Sequence, residues 1–194
     1  MSSRVTPHFI RGPVALSHLI LTRFIQSGDT VIDATCGNGN DTLLLAELAG
    51  DTGTVWAFDI QAEAIRATSQ KLEQAGRAGH VMLIHGGHEQ LSNYVTGNVA
   101  AVVFNLGYLP GGDRSLVTRP ETTLSAFDQS MKLMRPGGIL AITVYPGHDG
   151  GAGERGSVDA WAMGLDPRQF HVWQMGQMNV PADAPYFIFV QKAA

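Results

Sequence analysis

Apolar runs of five to eight residues, rich in Val, Ile and Phe, alternate along this chain with longer polar segments of helical period. That alternation leaves few folds open, because strands separated by helices pair side by side in parallel. It predicts strands at 30–35, 54–60, 80–86, 99–106 and 138–145, then two more at 170–177 and 186–193. Helices are predicted at 14–26, 41–49, 62–75, 89–95, 121–135 and about 154–163. The middle strands are apolar on both faces, as a sheet covered by helices on each side requires. Only "MNVPADAP" separates the last two strands, too little for a crossover helix, so they should form an antiparallel hairpin. The expected class is α/β: a seven-stranded, mostly parallel sheet with an antiparallel C-terminal hairpin and helices on both faces.

With 194 residues, 44% of them hydrophobic and 15% charged, the chain can fill a core, and no repeat or low-complexity tract divides it. One domain over 1–194 is expected, with 1–13 as an N-terminal extension. No apolar run approaches the ~20 residues that cross a bilayer, and the start "MSSRVTPHFIRG" lacks a basic stretch feeding an apolar one, so neither a membrane span nor a secretory signal is expected. The lone cysteine, Cys36, cannot form an internal disulfide, which fits a reducing cytoplasm. A formal charge of -4 counts against a protein that coats nucleic acid, yet permits a local basic patch.

The stretch "VIDATCGNGNDT" follows the first strand. Asp33 ends the strand, Gly37 and Gly39 allow a tight turn, and Asp41 with Thr42 opens the next helix. A ligand there would sit outside the carboxyl ends of the strands, where open α/β sheets bind small molecules. A dinucleotide fingerprint wants a third glycine where Thr42 stands. Asp33 would repel phosphate but suits the amino group of a methionine moiety, and Asp59 at the end of the second strand can accept both hydroxyls of a ribose. S-adenosylmethionine is therefore the expected cofactor, with a nicotinamide or flavin dinucleotide as the alternative. A bare tight turn would also use both glycines. The expected cofactor shell comprises Asp33, Thr35, Gly37, Asn38, Gly39, Asp41, Thr42, Asp59, Ile60, Gln61, Gly87, His88 and Asn105. His88, in "HGGHE", would contact the adenine or cap the helix that follows. Cys36 reads as a small loop residue.

The fourth strand runs into "FNLGYLPGGDRS". Its Asn-x-x-Tyr spacing resembles the Asn-Pro-Pro-Tyr motif of methyltransferases that act on amino nitrogens, where the asparagine accepts a hydrogen bond from the amine and the ring packs on the acceptor. Asn105 and Tyr108 are the expected catalytic residues. Asp113 would take a proton or steady the substrate cation, or would simply turn the chain after Gly-Gly. The loop "VYPGHDGGAGE" brings Tyr145, His148 and Glu154 to the same edge, for substrate contact or loop scaffolding. Its single histidine and lack of a helically spaced ligand pair argue against metal.

In order and spacing, "DATCGNGNDT", "FDIQ", "HGGHE", "NLGYLPGGD", "TRPETT" and "YPGHDGGAGE" resemble small bacterial proteins labelled rRNA methylases, the MnmM or YtqB type. The resemblance runs from about Val14, with Cys36 and Asn40 standing where family members often carry alanine and histidine. It implies a class I methyltransferase that uses S-adenosyl-L-methionine to methylate the 5-aminomethyl group of wobble uridine in tRNA, often on a 2-thiouridine. It also implies an acceptor site at Asn105, Tyr108, Gly111, Gly112, Asp113, Tyr145 and His148, and a possible homodimer. Arg114 and Arg119 would meet tRNA phosphates or remain solvated. Other acceptors, ribosomal RNA or a small amine metabolite, stay open. So do a non-catalytic S-adenosylmethionine-binding module, against which the intact acceptor loop counts, and a nucleotide-dependent oxidoreductase, which lacks its third glycine.

Overall fold

The computed structural model describes residues 10–107, 109, 111, 117–147 and 151–194. In chain order, α1 (Gly12–Phe24) leads to β1 (Thr30–Asp33), α2 (Asn40–Ala49), β2 (Thr54–Asp59), α3 (Ala62–Gln74) and β3 (Val81–His85). A 3₁₀ turn (His88–Gln90) and α4 (Leu91–Tyr94) come next, before β4 (Val99–Leu106), α5 (Pro120–Leu133) and β5 (Met134–Val144). The chain closes with α6 (Gly151–Met163), β6 (Phe170–Met175) and β7 (Tyr186–Lys192).

These strands form a seven-stranded sheet in the order β3-β2-β1-β4-β5-β7-β6. β1 to β5 pair in parallel. The C-terminal hairpin is antiparallel as expected, and β7 inserts between β5 and β6. Composition explains which arm goes inside: "YFIFV" of β7 is buried on both faces, while β6 alternates between partly buried and exposed residues and forms the edge.

Sequence reasoning misplaced several boundaries. β5 begins at Met134, directly from α5, rather than at 138. Met134 pairs with Val99 and Ile139 with Ala101, so the intervening residues form a bulge. Gly137 there has φ 76°, and a Cβ on Gly138 would come within 2.8 Å of the Arg135 carbonyl, so the bulge requires its glycines. Arg135 then clamps Asp29 at the entry to β1 through two bonds of 2.6 and 3.1 Å. The helix expected at 89–95 is split into the 3₁₀ turn and α4, α6 starts at Gly151, and β6 ends at Met175.

Both sheet faces are covered. On one, Leu91 of α4, Phe127 of α5 and Val158 of α6 pack on Val102, Phe104 and Leu106 of β4. On the other, Leu21 of α1, Leu45 of α2 and Leu72 of α3 pack with Ala101 and Val103. The period of two in β4 therefore puts Asn105 on the α1–α3 side. No helix among the described residues is long and apolar enough to cross a membrane.

Phe127 is the keystone of the first face, edge-on to Phe104 at 4.9 Å and 4.6 Å from Trp161. Phe127→Ala is expected to cost about 3–5 kcal/mol of unfolding free energy, because it removes a wholly buried ring and leaves a cavity. Chemical denaturation followed by far-UV circular dichroism measures it.

Candidate functional site

β1 lies between β2 and β4, so the loops leaving its carboxyl end and that of β4 diverge. A cavity of about 540 Å³ opens there. Its walls come from the loop after β1, the ends of β2, β3 and β4, the segment entering α5, Tyr145 after β5, and Val14 of α1.

The loop after β1 is folded by its glycines. Gly37 and Gly39 both have positive φ, 50° and 73°. A Cβ on Gly39 would lie 2.9 Å from Thr68 of α3. Thr68 also donates to the Gly37 carbonyl at 3.1 Å. The loop's amides turn toward carboxylates of the protein. Gly37 N–H donates to Asp59 Oδ2, and Gln61 N–H to Oδ1, both at 2.9 Å. Each Asp59 oxygen thus keeps a lone pair for a ligand hydroxyl. Burial raises the Asp59 carboxyl, and those amides oppose the rise.

Of the expected cofactor shell, Thr35, Gly37, Asn38, Asp41, Asp59, Ile60, Gln61, Gly87, His88 and Asn105 line the cavity. Asp33, Gly39 and Thr42 do not. Asp33 is wholly buried beneath the loop, accepting from Thr42 Oγ1 at 2.6 Å and Thr35 N–H at 3.2 Å. Asp33, expected to face a ligand amine, lies beneath the loop, and the carboxylates on the cavity wall are Asp41, Asp59 and Glu89. Burial, then the neighbouring Asp41 charge, pushes Asp33 up to about 7.

Asp41, in the first turn of α2, accepts from Asn105 Nδ2 at 2.5 Å and pairs with His18 Nε2 at 2.5 Å. Thr35 Oγ1 accepts from Asn105 N–H at 2.7 Å. Tyr145 also lines the cavity, and burial together with the Asp41 charge raises its phenol. The His88 ring is edge-on to Phe104. Burial lowers its pKa, which favours the neutral ring, and its Nε2 is buried without a partner among the described residues. Cys36 touches the cavity, but burial pushes its thiol well up, out of the reactive range.

Arg119 is exposed at the cavity rim, and Gly111 is exposed away from the lining. Tyr108, Gly112, Asp113, Arg114 and His148 lie outside the described residues. Glu154 is a scaffold: it is 2% exposed and accepts from Thr118 at 2.6 Å and Thr123 at 3.0 Å, holding the entry to α5. Sequence reasoning missed Val14, His18, Leu109 and Thr118. For Val14 and His18 the one available signal is their spacing, a helical turn apart before the first strand. Among the described residues no three His, Cys, Asp or Glu side chains gather as a metal-ligand group.

Residues 55–191 match the sequence family described as "Putative rRNA methylase". The chain is 41% identical, over 91% of its length and 68% of the other's, to an Arabidopsis thaliana protein named tRNA (mnm(5)s(2)U34)-methyltransferase, chloroplastic. The chain belongs to this family. A crystal structure of a family protein from Clostridium thermocellum superimposes with a TM-score of 0.92 at 42% identity, covering 95% of this chain and all of that one. A Streptococcus mutans methyltransferase solved with SAH superimposes with a TM-score of 0.87 at 38% identity, covering 95% and 99%. The fold is that of the class I methyltransferases.

The residues present suit S-adenosylmethionine. Asp59 offers paired acceptors for a ribose diol, His88 has a buried nitrogen without a partner, and Asp41, Asp59 and Glu89 give the wall a charge complementary to a cationic ligand. Asp33 yields a signed prediction for the free protein. Its folded pKa is raised above the unfolded value of 3.8, so its contribution to stability is fully present below about pH 4 and is lost as pH rises through about 7. Asp33→Asn is expected to remove that loss, so that the difference in melting temperature, variant minus wild type, grows between pH 4 and 8. A flat difference would show that Asp33 ionises freely.

Proposed function

We propose that the protein is an S-adenosylmethionine-dependent methyltransferase that N-methylates the 5-aminomethyl group of uridine or 2-thiouridine at the tRNA wobble position, giving the 5-methylaminomethyl form. The observation that carries this reading is the orientation of Asn105. Its amide NH₂ is committed to Asp41, which leaves its Oδ1 as an acceptor at the end of β4, beside the cavity. An acceptor oxygen there suits a nucleophile that brings its own N–H bonds, which an amine does.

When bound, S-adenosylmethionine supplies an electrophilic methyl on a sulfonium that departs as a neutral thioether. The protein's task is then alignment more than acid-base chemistry. Asp59 holds a ribose and His88 an adenine edge. Asn105 accepts from the amine and directs its lone pair along the line of transfer. Partial burial beside Tyr145 disfavours the protonated ammonium, from which transfer cannot occur. Arg119, exposed at the rim with no ion pair among the described residues, provides a contact for an RNA phosphate. The 41% identity to a protein named for wobble uridine of tRNA supports RNA as the carrier of the amine. A wobble base is accessible in a single-stranded loop, where it can be splayed into such a cavity.

Asn105→Ala is expected to lower turnover on tRNA carrying 5-aminomethyluridine by ~100-fold or more while SAH affinity stays within a few fold, on the scale of misplacing a reacting group. Labelled-methyl transfer and calorimetry read the two quantities. Near-normal turnover would remove Asn105 from the chemistry. Arg119→Glu should raise KM for tRNA several-fold with SAH affinity unchanged, and nucleoside mass spectrometry of the product identifies the methylated position.

A further inference from the structure

His18 lies on α1 and does not line the cavity, yet its Nε2 sits 2.5 Å from Asp41 Oδ1. The other Asp41 oxygen receives Asn105 Nδ2 at 2.5 Å. The chain His18–Asp41–Asn105 thus joins α1, the first turn of α2 and the end of β4, and only its last member reaches the acceptor position. A carboxylate can only accept. Asp41 therefore selects the NH₂ edge of Asn105 and turns the carboxamide oxygen the other way. The flipped amide would set two acceptor oxygens face to face.

We propose that His18 and Asp41 are a positioning pair that fixes which edge of the Asn105 carboxamide faces the substrate nitrogen. The proposal rests on the reading of Asn105 as the acceptor for an amine. His18 occupies one Asp41 oxygen and so restrains rotation of the carboxylate, while the Asn105 backbone is held separately by Thr35. With His18 absent, Asp41 can swing, and Asn105 presents either edge. The oxygen edge accepts from an amine and points its lone pair at the methyl. The NH₂ edge donates to that lone pair and blocks it. The pair acts on geometry alone and transfers no proton. Val14, one turn before His18 on the same face of α1, lines the cavity itself, so one helix both closes the cavity and sets the amide.

The test uses the full-length protein with His18→Ala, His18→Gln and Asp41→Asn. Glutamine keeps an N–H donor for Asp41. Asparagine at 41 keeps the volume but pairs with either edge of Asn105. The expected result is kcat for methyl transfer to 5-aminomethyluridine tRNA down ~10-fold in His18→Ala and Asp41→Asn, with KM for tRNA within ~3-fold, and kcat within ~3-fold of wild type in His18→Gln. SAH affinity in His18→Ala should change less than 3-fold. A kcat unchanged by His18→Ala, or a loss that glutamine does not restore, overturns the proposal, as does a loss of SAH affinity as large as the loss of kcat. A second readout needs no substrate. In ¹⁵N spectra of the free protein, the Asn105 side-chain amide, assigned by its disappearance in Asn105→Ala, should show a downfield, slowly exchanging proton that broadens or moves upfield in His18→Ala and persists in His18→Gln. If wild type transfers no methyl to the amine, the functional reading fails by itself, and the amide spectrum still decides whether His18 and Asp41 orient Asn105.

Discussion

The carboxyl edge of this sheet concentrates negative charge, and the surrounding structure is organised to hold it. Asp33, Asp41, Asp59 and Glu89 gather where β1, β2 and β3 end. The donors that a nucleotide-binding loop would aim at phosphate are taken up by these side chains: Thr35 N–H goes to Asp33, and Gly37 and Gln61 N–H go to Asp59. α2 carries Asp41 within its own first turn, where the helix dipole favours an anion. An outside phosphate would meet these carboxylates first. Burial is the main reason the Asp33 carboxyl is raised, and the Asp41 charge adds to it; a cationic ligand would offset the second of these.

The same charge organises the acceptor. Asp41 stands at the junction of the cofactor wall and Asn105, and its mutual exclusion with any acceptor atom gives Asn105 a direction that packing alone would not. An asparagine amide is nearly symmetric in shape, so close packing cannot tell its oxygen from its nitrogen, whereas a charged neighbour can. Tyr145, whose phenol is raised by burial, also feels the Asp41 charge from the other side.

The strands, the hairpin and the loop after β1 were legible because each is written within a short span of sequence: apolar runs, a connection too short for a helix, glycines beside acids. What was illegible depends on distance. Nothing local marks Asp41 rather than Asp33 as the acid on the wall, since both flank the same glycines. The choice follows from Thr42, which turns back under the loop to claim Asp33. His18 precedes the first strand and meets Asp41 only once α1 has docked on α2, β5 and β7. The bulge at the start of β5 was hidden because its Pro-Gly-Gly reads as a break between helix and strand. In the fold, Met134 before it already pairs with Val99.

The sheet also divides the labour between its two sides. Asn105, His18 and Asp41 belong to the side covered by α1, α2 and α3. The segment that follows β4 is fastened from the opposite side: Thr118 N–H bonds the Gly107 carbonyl at 3.0 Å, and Glu154 of α6 holds Thr118 and Thr123. Glu154 is buried, and its carboxylate accepts from two hydroxyls that secure this anchor. The segment's two ends, Gly107 and Thr118, are therefore drawn together at the cavity mouth, and Leu109 and Val117 between them also line the cavity. Asn105 and the groups that fix the ends of this segment therefore lie on opposite sides of β4, so the hydrogen bonds that orient the one are independent of those that anchor the other.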